Sequence, residues 1–294
     1  MIDFSCKRDI LIANPDGTFS PMDEPFFQAK EIAPNTWQIL SSGDFSYFLV
    51  GDNEGISIDT GYGAGNIREF LQTLTDKPVR NTINTHHHFD HTAGNSYFEK
   101  SYMHPEAFDY ATIPYASFEG IDFPRDYEKV AVYDGDTYEL GNRKLELFWI
   151  PDHTPDGIAI LDYKERILFI GDELMPMGKI LKVPVATFFG YMEKLLAHSN
   201  DYDRIFSGGG ELPKEMIQNY YNCAKAILEG NHGEPAKPRI GGPREMPPGP
   251  NGEIVYDRIA PRKGDGGAGK DTPPGRLHCY ESDGARIIFD MDLL

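Results

Sequence analysis

The segment that most constrains this chain is His86-His87-His88-Phe89-Asp90-His91, which places four histidines and one aspartate within six residues. Neutral imidazole nitrogens and carboxylate oxygens are ligands for zinc, iron and similar ions. In an extended segment, side chains at positions i and i+2 lie on the same side. We therefore expect His86 and His88 to bind one metal ion while His87 points away from it. Composition alone also permits the alternative of a His-rich surface tract that binds nothing.

Length and composition favour one enzyme-sized globular domain. A chain of 294 residues with 40% hydrophobic residues can bury a large core. It contains no apolar run of about 18 residues, and its N-terminus lacks the apolar region of a signal peptide, so we expect a cytoplasmic protein without membrane contact. The three cysteines, Cys6, Cys223 and Cys279, are far apart and odd in number, which is typical of reduced thiols and argues against a disulfide framework.

The formal net charge of −18 restricts the partners. Nucleic acid is bound through Lys and Arg, so an acidic surface argues against a nuclease or a nucleic-acid-binding protein. The same charge concentrates metal cations near the protein. We therefore expect a small-molecule substrate.

Hydrophobic periodicity predicts a mixture of strands and helices. Short runs rich in β-branched and aromatic residues, bounded by turn residues, indicate strands. Apolar residues at helical spacing indicate three amphipathic helices between them. This order predicts sheets sandwiched between helical layers. The predicted strands are Thr36–Leu40, Ser46–Val50, Gly55–Asp59, Leu145–Ile150, Gly157–Leu161, Arg166–Ile170 and Arg204–Phe206, and the predicted helices are Ile67–Leu74, Phe188–Leu196 and Met216–Leu228.

Two stretches interrupt this regularity. Pro105 to Tyr127 is an aromatic-rich loop that could wall a substrate pocket or simply pack onto the body of the protein. Gly230 to Gly275 is rich in Pro and Gly, broken by a predicted strand at Gly252–Ile259, and Ala285–Met291 is predicted to be the last strand. We divide the chain into a main domain, residues 1–230, and a C-terminal extension, residues 231–294, that packs on the same domain or contacts a second subunit of a homodimer.

Three further motifs accompany the histidine run. Ile58-Asp59-Thr60-Gly61 ends a predicted strand, Pro151-Asp152-His153-Thr154-Pro155-Asp156-Gly157 lies between two strands, and Phe169-Ile170-Gly171-Asp172-Glu173 ends another. Taken alone, a histidine in a turn is usually a surface residue, and an aspartate after a strand can be a helix cap.

Together the ordered motifs resemble the metallo-β-lactamase superfamily of metallohydrolases. The resemblance covers roughly residues 26–228. It implies an α+β fold, a four-layer αββα sandwich with the ligands on loops at one edge, followed here by the Pro/Gly-rich C-terminal extension.

The resemblance also implies which residues bind metal. In the family pattern three histidines hold a first metal, an aspartate and a histidine contribute to a second, and one aspartate bridges the two: His86, His88 and His153; Asp90 and His91; Asp172. Asp59 matches the buried aspartate that supports the metal-bearing loops. Zinc is the expected metal, with one ion bound tightly and a second more weakly; iron and manganese are alternatives.

One position departs from the family pattern. The family usually has a histidine between two glycines after the penultimate strand, and here Gly209 stands at that position within Ser207-Gly208-Gly209-Gly210-Glu211. The second metal position therefore loses a ligand, although three protein ligands and a water still make a catalytic zinc site. Glu211, His232 and His278 are candidate replacements.

The predicted function is metal-dependent hydrolysis of a small carbonyl substrate: a lactone, ester, thioester or amide. The metal lowers the pKa of bound water from about 15.7 towards about 7, which supplies hydroxide, and polarises the carbonyl. Asp90 is expected to orient this hydroxide and relay its proton, and His91 can join the acid–base work if the second site is empty. The alternatives are a mononuclear iron-dependent redox enzyme of the same superfamily and a catalytically silent metal-binding protein.

Overall fold

The computed structural model describes residues 10–13, 17–21, 27–41, 44–61, 66–111, 127–175, 178–236, 248–252, 254–257 and 276–294. Within these ranges two large β-sheets pack face to face and helices cover their outer faces. Most of the aromatic-rich loop predicted at 105–127 and most of the Pro/Gly-rich stretch predicted at 230–275 lie outside the described residues.

The first large sheet has seven strands, which are neighbours in the order in which they occur along the chain. The first four pair antiparallel and the last four pair parallel. The strand at Gly55–Ile58 is buried throughout, as expected where both faces of a sheet are covered. Three predicted strands, at 36–40, 46–50 and 55–59, are confirmed. The seven strands are Gln28–Ala33, Thr36–Ser41, Asp44–Val50, Gly55–Ile58, Val79–Ile83, Lys100–Met103 and Glu128–Ala131.

The second large sheet has six strands, again ordered as in the chain. Its pairs are antiparallel except for Ile167–Phe169 with Arg204–Ser207, which are parallel. The four strands predicted here, at 145–150, 157–161, 166–170 and 204–206, are confirmed to within one residue at each end. The six strands are Thr137–Glu139, Lys144–Trp149, Ile158–Asp162, Ile167–Phe169, Arg204–Ser207 and Gly210–Leu212.

The helices form where the apolar spacing predicts them. Helix α1 (Ile67–Gln72) is capped by the Asn66 side chain, which accepts a hydrogen bond from the Glu69 backbone amide at 3.1 Å. The one-turn helix α2 (Phe89–Thr92) lies within the histidine run. Helix α3 (Val185–Ala197) begins three residues before its predicted start, and α4 (Met216–Leu228) has its predicted bounds.

The layers are ordered helix, sheet, sheet, helix, so the predicted αββα sandwich is confirmed. Helix α1 packs on the first sheet, and α3 and α4 pack on the second. A third apolar cluster fills the space between the sheets. Arg143 also connects them, because its guanidinium binds the buried Asp162 carboxylate of the second sheet and donates to the Val50 carbonyl of the first.

The C-terminal segment pairs with earlier strands. A hairpin of Leu277–Ser282 and Ala285–Asp290 pairs in parallel with Lys179–Ile180, and its buried Ile287 and Phe289 join the core around α4. Upstream of this hairpin, Ile254–Asp257 pairs with Ile10–Ala13. The strands predicted at 252–259 and 285–291 are therefore present, both slightly shorter. No helix in the described ranges is long and apolar enough to span a membrane.

Candidate metal centre

The predicted ligands meet at one edge of the sandwich. They lie on loops that follow the carboxyl ends of strands in both sheets, because the strands that precede them point the same way. The first sheet supplies Asp59 and the segment 86–91, and the second supplies 151–156 and 171–173. In the segment 86–91, helix α2 turns the backbone so that Asp90 and His91 leave the line of the preceding histidines.

Three histidines form the first cluster. His88 Nδ1 lies 3.0 Å from His86 Nε2 and 3.0 Å from His153 Nε2. A tetrahedral zinc ion with bonds of about 2.05 Å separates its ligand atoms by about 3.3 Å, so these nitrogens are spaced like the ligands of one ion. The structure therefore brings together His86, His88 and His153 as the sequence predicts.

Burial keeps two imidazoles of this cluster, those of His86 and His153, neutral. It holds the pKa of His86 well below its ordinary value and lowers the pKa of His153 to about 3, with the neighbouring histidines contributing in the same direction. A neutral imidazole has a free lone pair, which is the form that binds a metal.

A second cluster lies beside the first. His91 Nε2 is 3.6 Å from Asp172 Oδ1 and 3.9 Å from the Asp90 carboxylate. His91 Nε2 and Asp172 Oδ1 are buried, and neither has a hydrogen-bond partner among the described residues. The other oxygen of Asp172 lies 3.9 Å from His153 Nε2, so this carboxylate spans both clusters. His91 Nε2 and Asp172 Oδ1 face each other beyond hydrogen-bond distance, so a cation between them would supply the close partner that each buried atom lacks.

Asp59 orients His91. Its Oδ2 accepts a hydrogen bond from His91 Nδ1 at 2.8 Å, and both of its oxygens accept bonds from Thr85. The Nδ1 proton is thereby directed to Asp59, which leaves Nε2 to face the second cluster. Although burial acts in the opposite direction, the carboxylates of Asp59, Asp172 and Asp90 raise the pKa of His91 well above its ordinary value. The same carboxylates favour a cation at this position.

His87 points away from both clusters. Its Nδ1 lies 2.5 Å from the buried Asp156 carboxylate, and its ring packs against Tyr110 with 5.0 Å between the ring centres. The prediction that His87 points away from the metal, made from the alternation of side chains in an extended segment, therefore agrees with the geometry. The sequence analysis missed its partner Asp156, although this residue lies in the same loop as His153.

The structure distinguishes Gly208 from Gly209. A Cβ atom at Gly208 would lie 2.2 Å from Asp172 Oδ1 and 3.1 Å from His91 Cε1, whereas a Cβ at Gly209 would lie 3.1 Å from Met175 Cε. The position at which the family pattern expects a histidine therefore faces the Met175 thioether. The preceding glycine is the one that contacts the second cluster.

None of the three candidate replacement ligands joins either cluster within the described residues. Glu211 is paired with Arg204 through two contacts of 2.7 and 2.9 Å. His278 contacts the His232 carbonyl at 3.0 Å in the C-terminal sheet. A surface ion pair holds Glu211 and pairing in the C-terminal sheet holds His278, both away from the two clusters.

Comparison with known proteins agrees with this geometry. Relatives with assigned functions include the acyl-coenzyme A thioesterase MBLAC2 of Bos taurus, 26% identical over 216 residues that cover 62% of this chain and 73% of the relative. The hydroxyacylglutathione hydrolase of Francisella philomiragia is 32% identical over 205 residues, which cover 64% of this chain and 76% of the relative.

Solved structures share the fold. The MIM-2 metallo-beta-lactamase has a TM-score of 0.53 and 18% identity, covering 71% of this chain and 91% of its own. A double mutant of the sec-alkyl sulfatase PisA1 has a TM-score of 0.55 and 13% identity, and the match covers 69% of this chain and 42% of the sulfatase. The family model described as the metallo-beta-lactamase superfamily matches residues 43–209, which carry every residue of the two clusters. The chain therefore belongs to the metallo-β-lactamase superfamily of metallohydrolases.

Proposed function

We propose that this metallohydrolase cleaves thioesters of small acyl groups. The observation that carries the proposal is the pair of adjacent clusters, which share His86 and are spanned by the Asp172 carboxylate, with the buried His91 Nε2 and Asp172 Oδ1 facing each other at 3.6 Å. The choice of thioesters is supported by two relatives whose names describe hydrolysis of acyl-coenzyme A and hydroxyacylglutathione, both of which are thioesters.

The donor set fits zinc in the first cluster. Three imidazole ligands leave one position open, which is the arrangement of catalytic zinc sites, and His86, His88 and His153 would hold the ion. Bound there, zinc would lower the pKa of a coordinated water and polarise the substrate carbonyl. Asp90, His91 and Asp172 would hold a second ion.

The side chains around the clusters supply the remaining steps. The Asp90 carboxylate accepts the proton of the attacking water as the new C–O bond forms, and it delivers that proton to the leaving sulfur as the C–S bond breaks. The Asp59 carboxylate holds His91 in the required tautomer throughout.

The reduced ligand set of the second cluster favours a thiolate as leaving group. A thiol has a pKa of about 8.5, whereas an alcohol leaving group resembles water, with a pKa of about 15.7. A thiolate therefore leaves without strong electrophilic support. Since Gly209 supplies no ligand, oxygen esters and amides should be poorer substrates.

The test is a substrate panel combined with metal analysis. Purified protein would be assayed with acyl-coenzyme A and hydroxyacylglutathione thioesters, with oxygen esters and amides of the same acyl groups, and with lactones. We expect kcat/KM to be at least about 100-fold higher for thioesters, a difference of about 2.7 kcal/mol in transition-state stabilisation. His88→Ala should lose both metal and turnover.

Three results would contradict the proposal. Equal or faster hydrolysis of esters or lactones would assign another substrate class. Iron with oxygen consumption would indicate the redox alternative. Tightly bound metal with no turnover on the whole panel would indicate a silent metal-binding protein.

A further inference from the structure

A buried network of three charged side chains lies behind the metal ligands. Lys179 Nζ is 2.7 Å from Asp152 Oδ2 and 3.0 Å from Glu173 Oε2, and it donates a hydrogen bond to the Glu173 carbonyl at 2.6 Å. All three side chains are buried. In sequence, Asp152 directly precedes His153 and Glu173 directly follows Asp172. The network therefore connects the backbones of two ligand-bearing loops.

Glu173 makes this connection directly. Its carboxylate accepts hydrogen bonds from the His153 backbone amide at 2.9 and 3.0 Å and from the Asp152 amide at 3.3 Å. A side chain from the loop of Asp172 thus holds the backbone of the loop of His153. Rotation of either loop would break these bonds, and it would also change the distance between the His153 imidazole and the Asp172 carboxylate, now 3.9 Å.

Lys179 is itself held by the C-terminal hairpin. Its strand pairs in parallel with the last strand, with Lys179 opposite Ile287, and the Leu181 amide donates to the Ile288 carbonyl at 2.9 Å. Gly178 permits this close approach, because it has φ of +91° and a Cβ there would lie 2.9 Å from Arg286 Cβ. The hairpin lies beyond residues 43–209, which the family model matches.

We propose that Lys179 is a positioning residue for the metal centre. Through Asp152 and Glu173 it fixes His153 and Asp172 at ligating separation, and it thereby makes the C-terminal hairpin part of the metal site. The inference rests on the metal assignment of the proposed function. Groups that orient metal ligands from behind typically change metal affinity by about 10–100-fold when they are removed.

The variant that tests this is Lys179→Met combined with Asp152→Asn. It removes one positive and one negative charge, so the net charge behind the metal is unchanged. The introduced asparagine keeps a side-chain oxygen for the Lys182 and Val183 amides, whose hydrogen bonds Asp152 Oδ1 now accepts. A change in metal affinity therefore reports the lost contacts between the two loops rather than a changed electrostatic potential at the metal.

The matched control removes a buried ion pair that touches neither cluster. Arg143→Met with Asp162→Asn is also charge-neutral, and it removes a pair whose partners lie between the two sheets. If loss of metal simply follows loss of stability, both double variants should bind metal more weakly.

Zinc dissociation constants would be measured by chelator competition, the visible spectrum of the cobalt-substituted protein would report ligand geometry, and melting of the metal-free proteins would report stability. We expect the Lys179/Asp152 double variant to bind zinc at least about 10-fold more weakly with an altered cobalt spectrum. The Arg143/Asp162 double variant should melt at lower temperature but keep its zinc affinity within about 3-fold.

Unchanged zinc affinity in the Lys179/Asp152 double variant would overturn the inference, as would equal losses in both double variants. If the Lys179/Asp152 double variant does not fold, Glu173→Gln is the deciding variant, because it replaces one of the two carboxylate oxygens that accept the His153 amide. Zinc binding that is at least about 3-fold weaker in Glu173→Gln would support the inference. Unchanged zinc binding would overturn it. Wild-type protein that binds no zinc would instead refute the metal assignment of the proposed function.

Discussion

Gly208 and Gly209 are sequence neighbours for which the structure predicts different effects of the same substitution. Neither has a positive φ; in this turn only Gly210 does, at +108°. Alanine is therefore compatible with the backbone at both positions. Any difference between Gly208→Ala and Gly209→Ala must come from what the new methyl group contacts.

At position 208 the methyl group would displace Asp172, a proposed metal ligand. It would lie 2.2 Å from Asp172 Oδ1, whereas ordinary contact begins at 3.4 Å, so the carboxylate must move by about 1.2 Å. Metal-ligand distances tolerate only about 0.2 Å. We expect the zinc dissociation constant to rise by about 10–100-fold. The metal-free protein should lose about 0.5–3 kcal/mol, because moving the Asp172 carboxylate weakens its interaction with protonated His91, whose Nε2 lies 3.6 Å away.

At position 209 the methyl group would meet the end of a flexible side chain. It lies 3.1 Å from Met175 Cε, which can rotate away. Gly209→Ala should keep zinc affinity within about 3-fold. Gly209→His, which restores the family's histidine, should raise affinity for a second metal only when Met175→Ala removes the thioether that occupies this space.

The assay is elemental analysis across a chelator titration, with melting of the metal-free proteins as the measure of folding. Equal zinc affinities for Gly208→Ala and Gly209→Ala would refute the placement of Gly208 against Asp172. A metal-free Gly208→Ala protein that no longer folds would show that the contact is structural rather than a matter of ligand position.

Three further predictions concern the residues around the clusters. Asparagine tolerates the positive φ of residue 59, so Asp59→Asn should keep the backbone conformation. It should shift the His91 proton to Nε2 and weaken binding of the second metal by about 10–100-fold. An unchanged metal stoichiometry would contradict this. His87→Ala should leave zinc affinity within about 3-fold but cost about 1–3 kcal/mol in chemical denaturation, because the buried Asp156 carboxylate loses its partner. Loss of zinc in this variant would mean that His87 is itself a ligand. The metal-free protein should become less stable as the pH falls from about 6.5 to about 3, because the unfolded chain binds protons that His86 and His153 do not bind in the folded protein. His91 is protonated in both states over that range and does not oppose the effect. His153→Gln should reduce the slope of this dependence in pH-resolved melting curves, and the slope that remains comes from His86.

The sequence alone predicts the local structure well, and it predicts the ligand set. Strand alternation and helical spacing locate four of the six strands of the second sheet within one residue and α4 at its observed bounds, because these signals depend on neighbouring residues. The spacing of His86 and His88 likewise determines that their side chains share one side of the segment while His87 does not. Family motifs then add His153 and Asp172.

Only the tertiary structure decides which groups support those ligands. His87 and Asp156 are 69 positions apart, and Lys179 is brought behind His153 by pairing with a hairpin near the C-terminal end of the chain. The family pattern cannot show that Gly208 touches Asp172 while Gly209 faces Met175, since both glycines lack a side chain whose chemistry could reveal its surroundings. Periodicity and motif spacing encode contacts within a few residues, whereas the support of the metal centre depends on the distances between loops, which packing of the two sheets and the C-terminal hairpin determines.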